Sequence, residues 1–296
     1  KYWSGCSKQA KWGLDICGFA AVDVNRKTAF HLNAVQTPPL ENMTLLVHYC
    51  SLLVENHMYF KELSNYLVAD AYFSKAQVVE TALSLDMHFI SRLRDDVNLK
   101  YIYRSEKTGK PGAPKKYDGK VNPRFPDMNH FSKIVVCDEL TIYSAEVYSV
   151  AFDRNINLAI AVFSKDGKEM ARKLYFSTDP QMNAEKIVKY CRSRFQIEFI
   201  YRDTKQHCGL THCQARSRNK LDFHFNAALT AVNLAKIEWL QSNPQANQSF
   251  SMSDYKTMYS NDLLLKIFIR KFGINPNTKK NKLIINELRN YAKIAV

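Results

Sequence analysis

Residues 66–90 read YLVADAYFSKAQVVETALSLDMHFI, and this stretch decides the fold class. Tyr66-Leu67-Val68-Ala69 is a short apolar run ending at Asp70. Ser74 is placed to cap a helix through about Leu85, and 88–90 is a second short apolar run. Strand, helix, strand at this spacing makes a right-handed crossover between parallel strands, with ligands bound at the carboxyl ends of the strands. Asp70 stands at such an end. The class is therefore α/β.

Upstream, residues 16–24 and 28–35 are β runs joined by the polar turn Asn25-Arg26-Lys27, a hairpin. Pro38-Pro39 ends it, and 41–63 carries Leu45, Leu46, Tyr49, Leu52 and Leu53 at helical spacing. Downstream, 107–124 is rich in Gly, Pro and Lys, which suits a mobile basic loop and excludes helix or central strand. Alternating runs at 133–136, 140–152, 158–163 and 172–176, with Asp166-Gly167 as a turn, read as a β-rich insertion. Thr178 or Asp179 can cap a helix running from about Met182 into the 200s; further helices fall at 221–240, 254–272 and 280–292, with 243–251 as a linker.

The chain has 296 residues, 46% hydrophobic and 24% charged, enough for a sizeable core and too apolar for a disordered chain. Lys and Arg total 42 against 28 acidic residues, a formal charge of +14 that favours a polyanionic partner, nucleic acid first. The seven cysteines are scattered and read as reduced thiols; the pairs His207-Cys208 and His212-Cys213 lack a regular zinc spacing. The longest uncharged apolar stretch, between Glu41 and Glu55, falls short of the ~20 residues that span a bilayer. No membrane partner is expected. The opening Lys-Tyr-Trp-Ser-Gly has no initiator Met, which reads as a removed start or an incomplete frame.

The segment 191–205, CRSRFQIEFIYRDTK, is the richest in chemistry. At 100° per residue, Cys191, Arg194, Glu198 and Lys205 share a narrow arc, while Arg192, Ser193, Gln196 and Asp203 take the opposite side. A surface helix needs one solvated face, so a second polar stripe walled by Phe195, Phe199, Tyr190, Ile197 and Tyr201 is either an internal ion-pair network or a site. An Arg194–Glu198 pair at i,i+4 would by itself add only about 0.2 to 0.5 kcal/mol to helix stability.

Here the sequence resembles a known family. Arg194, Glu198 and Lys205 match in type and spacing the Tyr-x2-Arg-x3-Glu-x6-Lys pattern of DDE transposases of the insertion-sequence-four family; the tyrosine position holds Cys191, with Tyr190 one residue before it. Tyr2-Trp3-Ser4-Gly5, Trp12-Gly13, Gln36-Thr37-Pro38, the segment 69–74, Ser177-Thr178-Asp179 and Cys213-Gln214-Ala215-Arg216 are similar to that family in order, over roughly residues 1–240.

The resemblance implies an RNase H-like mixed sheet flanked by helices, with a β-rich insertion and a C-terminal helical tail. Its expected parts are 1–104 and 178–240 as the two halves of the core, 105–177 as the insertion, and 241–296 as the tail. It implies that Asp70 and Glu198 are catalytic carboxylates holding two Mg²⁺ or Mn²⁺ ions, and that Arg194 and Lys205 hold phosphates. The implied reaction is DNA cleavage and strand transfer on double-stranded DNA by a homodimer, in the bacterial cytoplasm at the nucleoid. The family's first aspartate stands upstream of the segment matching Tyr2-Trp3-Ser4-Gly5, and Asp15 and Asp23 are poor replacements. The alternative is therefore a catalytically incomplete DNA-binding remnant. The basic loop at 107–124, with Tyr117 and Phe125, and the basic tail near Arg270, Lys271, Lys279, Lys280 and Lys282 are further places that could meet DNA.

Overall fold

The computed structural model describes residues 2–4, 8–40, 43–104, 114–243 and 250–294. The chain divides into two compact units, one formed by Val22–Lys27 and Pro38–Phe195, the other by Lys1–Ala21, Thr28–Thr37 and Gln196–Val296.

The elements run β1 (Tyr2–Ser4), β2 (Gln9–Lys11), β3 (Ile16–Asp23), β4 (Thr28–Gln36), α1 (Leu45–Leu63), β5 (Tyr66–Val68), a 3₁₀ turn (Ala71–Phe73), α2 (Ala76–Ser84), β6 (His88–Leu93), β7 (Leu99–Ile102), β8 (Tyr117–Lys120) and β9 (Ser132–Cys137). They continue with β10 (Leu140–Ser149), β11 (Arg154–Lys165), β12 (Lys168–Ser177), α3 (Ala184–Ser193), α4 (Gln196–His207), α5 (Arg218–Ser242), α6 (Met252–Phe272) and α7 (Lys279–Arg289).

In the first unit, eight strands form one mixed sheet in the order β5-β6-β12-β11-β10-β7-β8, with β9 also on β10. β5 and β6 are parallel, Val68 opposite Ile90, as a crossover through α2 requires. The remaining pairs are antiparallel, both between consecutive strands and between distant ones such as β12 with β6 and β10 with β7; Asp166 and Gly167 both take positive φ between β11 and β12, the twist a two-residue hairpin turn needs. The β-rich stretch is thus continuous with β6, since β12 pairs along it from Leu174↔Leu93 to Ser177↔Ile90. On one face of the sheet Ile90, Ile142, Ala159 and Tyr175 pack under Ile187 and Val188 of α3. Phe89, adjacent to Ile90 and so on the opposite face, meets Phe176, which in turn meets Phe152.

Several local expectations change. The helix expected over 41–63 begins at Leu45, where Thr44 caps α1 by accepting from Val47 N–H. Ser74 does not cap α2, whose N-cap is Lys75 without a side-chain bond; its hydroxyl lies 2.9 Å from Ser91 Oγ and 2.8 Å from Arg92 O. Asn183, rather than Thr178 or Asp179, caps α3. Thr178 and Asp179 are engaged elsewhere, Thr178 Oγ1 accepting from Phe89 N–H and Asp179 accepting from Tyr66 O–H, both at 2.8 Å. Part of the basic loop, 105–113, lies outside the described residues. Tyr117–Lys120 within it is strand β8, at the sheet edge where a Gly-containing segment is tolerated.

The second unit holds the small sheet of β1 and β2, the strand β4, and the helices from α4 onward. Helix α5 covers the edge of β4 with side chains instead of a strand. Gln36 N–H donates to Asp222 Oδ1; Asn226 accepts from Ala34 N–H and donates to Ala34 O; Asn233 does the same for His31; and Lys236 Nζ donates to Ala29 O. Residues 222, 226, 233 and 236 fall within about 80° of one another on the helix, so one face supplies all four. An open strand edge is thereby closed against pairing with another chain.

Lys236 is 5% exposed, and burial pulls its amine down from 10.5 to about 8, with Asp203 opposing and Arg202 adding to the shift. An amine with a depressed folded-state pKa binds fewer protons than in the unfolded chain between about 8 and 10.5, so this group makes stability rise with pH across that window. Lys236→Met removes the term. The stability of wild type relative to the Met variant, followed by urea unfolding, is expected to improve by up to roughly 3 kcal/mol from pH 8 to 10.5; a gap that stays flat contradicts the depressed pKa of Lys236.

Candidate functional site

Asp70 follows β5 with extended backbone, φ −73° and ψ 163°, and its Oδ1 accepts from Tyr72 N–H at 2.7 Å, starting the 3₁₀ turn. The strand end is pinned from beneath. Ala69 N–H donates to Ile90 O at 3.1 Å, and the fully buried Ser91 hydroxyl lies 3.0 and 3.1 Å from Ala69 O and Asp70 O. With Ser74 bonded to Ser91, the turn after β5 is tied to β6 by hydroxyls that an apolar-periodicity reading does not weigh. The Asp70 side chain itself is exposed, and its second carboxylate oxygen has no hydrogen-bond partner among the described residues.

Asp70 lines a cavity of about 500 Å³ together with Ala69, Ala71, Arg92, Lys173, Tyr175, Cys191, Arg192, Arg194 and Phe195. The structure therefore brings together two residues expected from the sequence, Asp70 and Arg194, and adds three cations that the sequence reading missed as a group. The signal for two of them was there in register: Arg92 is directly opposite Tyr175, and Lys173 lies two residues from Tyr175, so all three share one face of the sheet. Arg192 and Arg194 come from the C-terminal end of α3, where cations are favoured by the helix dipole.

At the tyrosine position of the motif, Cys191 lines the cavity, whereas Tyr190 packs edge-on against Tyr66. Burial pushes the Cys191 thiol up to about 12, against the pull of Arg194. The thiol is therefore neutral at physiological pH and a poor nucleophile. Burial also raises the Tyr175 hydroxyl, helped by Cys191 and opposed by Arg92 and Arg192.

The expected single helix from 182 into the 200s is two helices. α3 ends at Ser193 with Arg194 as its cap, and Phe195 N–H donates to Arg192 O at 3.3 Å, a tighter i→i−3 turn. The reason is in the burial. Ile187 of α3 and Ile200 of α4 are both fully buried yet would lie about 220° apart on one straight helix, so a straight helix could not bury both. Glu198 and Lys205 lie on α4 and are exposed. The buried polar residues of α4 are Asp203 and Thr204, Asp203 accepting from the Arg202 guanidinium at 2.8 Å. The polar stripe that the helix hides is thus the one carrying Asp203, opposite the one expected. α4 is also seated close to β3: a Cβ on Gly18 would overlap the Tyr201 hydroxyl and lie 2.9 Å from its Cζ.

Asp23 Oδ1 accepts from Asn25 and Arg26 N–H and so serves the hairpin turn, as its residue type there suggests; Asp15 Oδ2 accepts from the Thr37 hydroxyl, 22 residues on. Among the described residues no group of three or more His, Cys, Asp or Glu side chains converges. The cavity's donor set is one hard carboxylate among four cations. This suits an anion, and it meets a divalent cation only in part, since Mg²⁺ needs more oxygen ligands than Asp70 alone provides.

No helix among the described residues is long and apolar enough to cross a membrane. No curated protein matches the chain significantly. A carboxylate at the carboxyl end of a parallel strand, in a cavity lined by arginine and lysine, is an arrangement suited to phosphodiester chemistry, and a family model described as the transposase DDE domain matches residues 53–234, which include every one of these lining residues. That match spans more than half of the sequence, and the chain belongs to the transposase DDE domain family.

Proposed function

We propose that this chain is the catalytic part of an insertion-sequence transposase of the insertion-sequence-four type, which cleaves DNA at element ends and joins them to a target. The observation that carries the reading is Asp70, exposed at the end of β5 with an uncommitted carboxylate oxygen, inside a cavity lined by four cationic side chains. The fold reading is an RNase H-like core made by 1–104 and 178–240, with 105–177 inserted and 241–296 as a helical tail.

Asp70 and Glu198 are assigned as the carboxylates that hold two Mg²⁺ or Mn²⁺ ions. When bound, such ions stabilise the attacking and leaving oxygens of an in-line displacement. Arg194 orients a phosphate through its planar fork of donors, and Lys205 adds a compact positive charge. Tyr175 and Phe195 wall the cavity. The partners are double-stranded DNA and a second copy of the chain assembled on it, at the nucleoid of a bacterial cytoplasm.

The test is incubation of the full-length protein with a plasmid carrying the DNA that flanks its coding frame, with Mg²⁺ or Mn²⁺ and with EDTA. Metal-dependent strand-transfer joints are expected. Cleavage products without joints point instead to a nuclease, and DNA binding without any metal-dependent nicking points to a non-catalytic remnant.

A further inference from the structure

We infer that Arg92, Lys173 and Arg192 form a seat for the phosphates of DNA flanking the scissile bond, built around the ring of Phe163. It rests on the catalytic reading of Asp70 only for which phosphates occupy it. Lys173 Nζ lies 5.7 Å and the Arg192 guanidinium carbon 5.6 Å from the Phe163 centroid, so one aromatic ring on β11 holds a cation from β12 and a cation from α3 through its negative faces. Arg92, on β6, lines the same cavity.

What marks these three residues is the lack of an acidic partner. Four other arginines of the same unit have acidic partners: Arg26 with Asp23, Arg94 with Asp96, Arg104 with Glu146 and Arg172 with Glu169. Among the described residues, the side chains of Arg92, Lys173 and Arg192 have neither an ion pair nor a hydrogen bond. Three like charges gathered around one cavity repel one another, and a fold that needed only solubility would spread them. Gathered beside one carboxylate, they suit a ligand carrying several negative charges at close spacing. Successive phosphates of a nucleic-acid strand have that chemistry, and their binding releases counterions in proportion to the contacts made.

The experiment is DNA binding by the full chain to a duplex of about 30 bp, followed by fluorescence anisotropy between 50 and 200 mM NaCl. The variant Arg92→Gln/Lys173→Gln/Arg192→Gln is compared with Arg26→Gln/Arg94→Gln/Arg104→Gln, which removes the same charge from paired positions. Three phosphate contacts correspond to a change of about 2.7 in the slope of log affinity against log salt. The seat variant is therefore expected to lose about 40-fold less affinity than wild type over this fourfold rise in salt. The control is expected to keep the wild-type slope within about 0.5, and the charge-preserving variant Arg92→Lys/Arg192→Lys to keep most of it. A seat variant with the wild-type slope, or a control that loses as much, overturns the inference. The two readings fail separately: if Asp70→Asn leaves cleavage intact but the seat variant loses slope, the catalytic reading falls and the seat stands. If Asp70→Asn abolishes cleavage and the slope is unchanged, the reverse holds.

Discussion

Asp70→Asn is expected to lower single-turnover DNA cleavage by about 10²- to 10⁴-fold while leaving the melting temperature and DNA affinity within error of wild type. The separation follows from the geometry. The one hydrogen bond the Asp70 side chain makes among the described residues is the acceptance of Tyr72 N–H by Oδ1, and an asparagine carbonyl can accept it equally well. The turn after β5 is also held by Ser74 and Ser91, independently of the carboxylate charge. What the substitution removes is the negative charge of the exposed oxygen, which in this reading holds a metal ion. Stabilisation by such an ion is worth several kcal/mol, and each 1.36 kcal/mol is a factor of ten in rate. A cleavage rate within threefold of wild type, with a folded variant, contradicts the assignment.

Asn226→Leu is expected to destabilise the protein by about 2 to 5 kcal/mol, read from urea unfolding. Asn226 closes four hydrogen bonds: Oδ1 accepts from Ala34 N–H and pairs with His31 Nε2, and Nδ2 donates to Ala34 O and Asp222 O. Leucine keeps the volume and removes the polarity, so the N–H and C=O of the fully buried Ala34 lose their partners. Each unmet buried group costs about 1 to 3 kcal/mol. Asn233 and Asp222 hold the adjacent residues of β4, so the strand stays docked and the loss is local. A loss below about 0.5 kcal/mol means that β4 finds other partners and that α5 does not act as its missing neighbour.

The α/β class and the parallel β5–β6 pair were legible in residues 66–90 because short apolar runs flanking a capped-looking helix leave few topologies open. The hairpin and the long strands of 140–177 were legible through alternation and the Asp166-Gly167 turn. Three features were not. Ser74 has the residue type of a cap, and only the position of Ser91 beneath it shows why its hydroxyl turns elsewhere. The break at Arg194-Phe195 hides in a pattern that continues smoothly at 100° per residue, since the polar residues keep one arc while the buried apolar residues change sides. Arg92, Lys173 and Arg192 are distant in sequence and come together through strand register and the end of α3. In the site itself Asp70 and Arg194 line one cavity, and Glu198 and Lys205 stand on α4 as exposed side chains.

In the proposed reaction Asp70 and Glu198 act together on a phosphodiester bond, and single-turnover cleavage by wild type, Asp70→Asn, Glu198→Gln and the double variant separates this from independent roles. Residues that act as a unit are strongly non-additive. Each single variant is expected to lose about as much rate as the double. Losses that multiply in the double variant, or a single variant that cleaves like wild type, would contradict it.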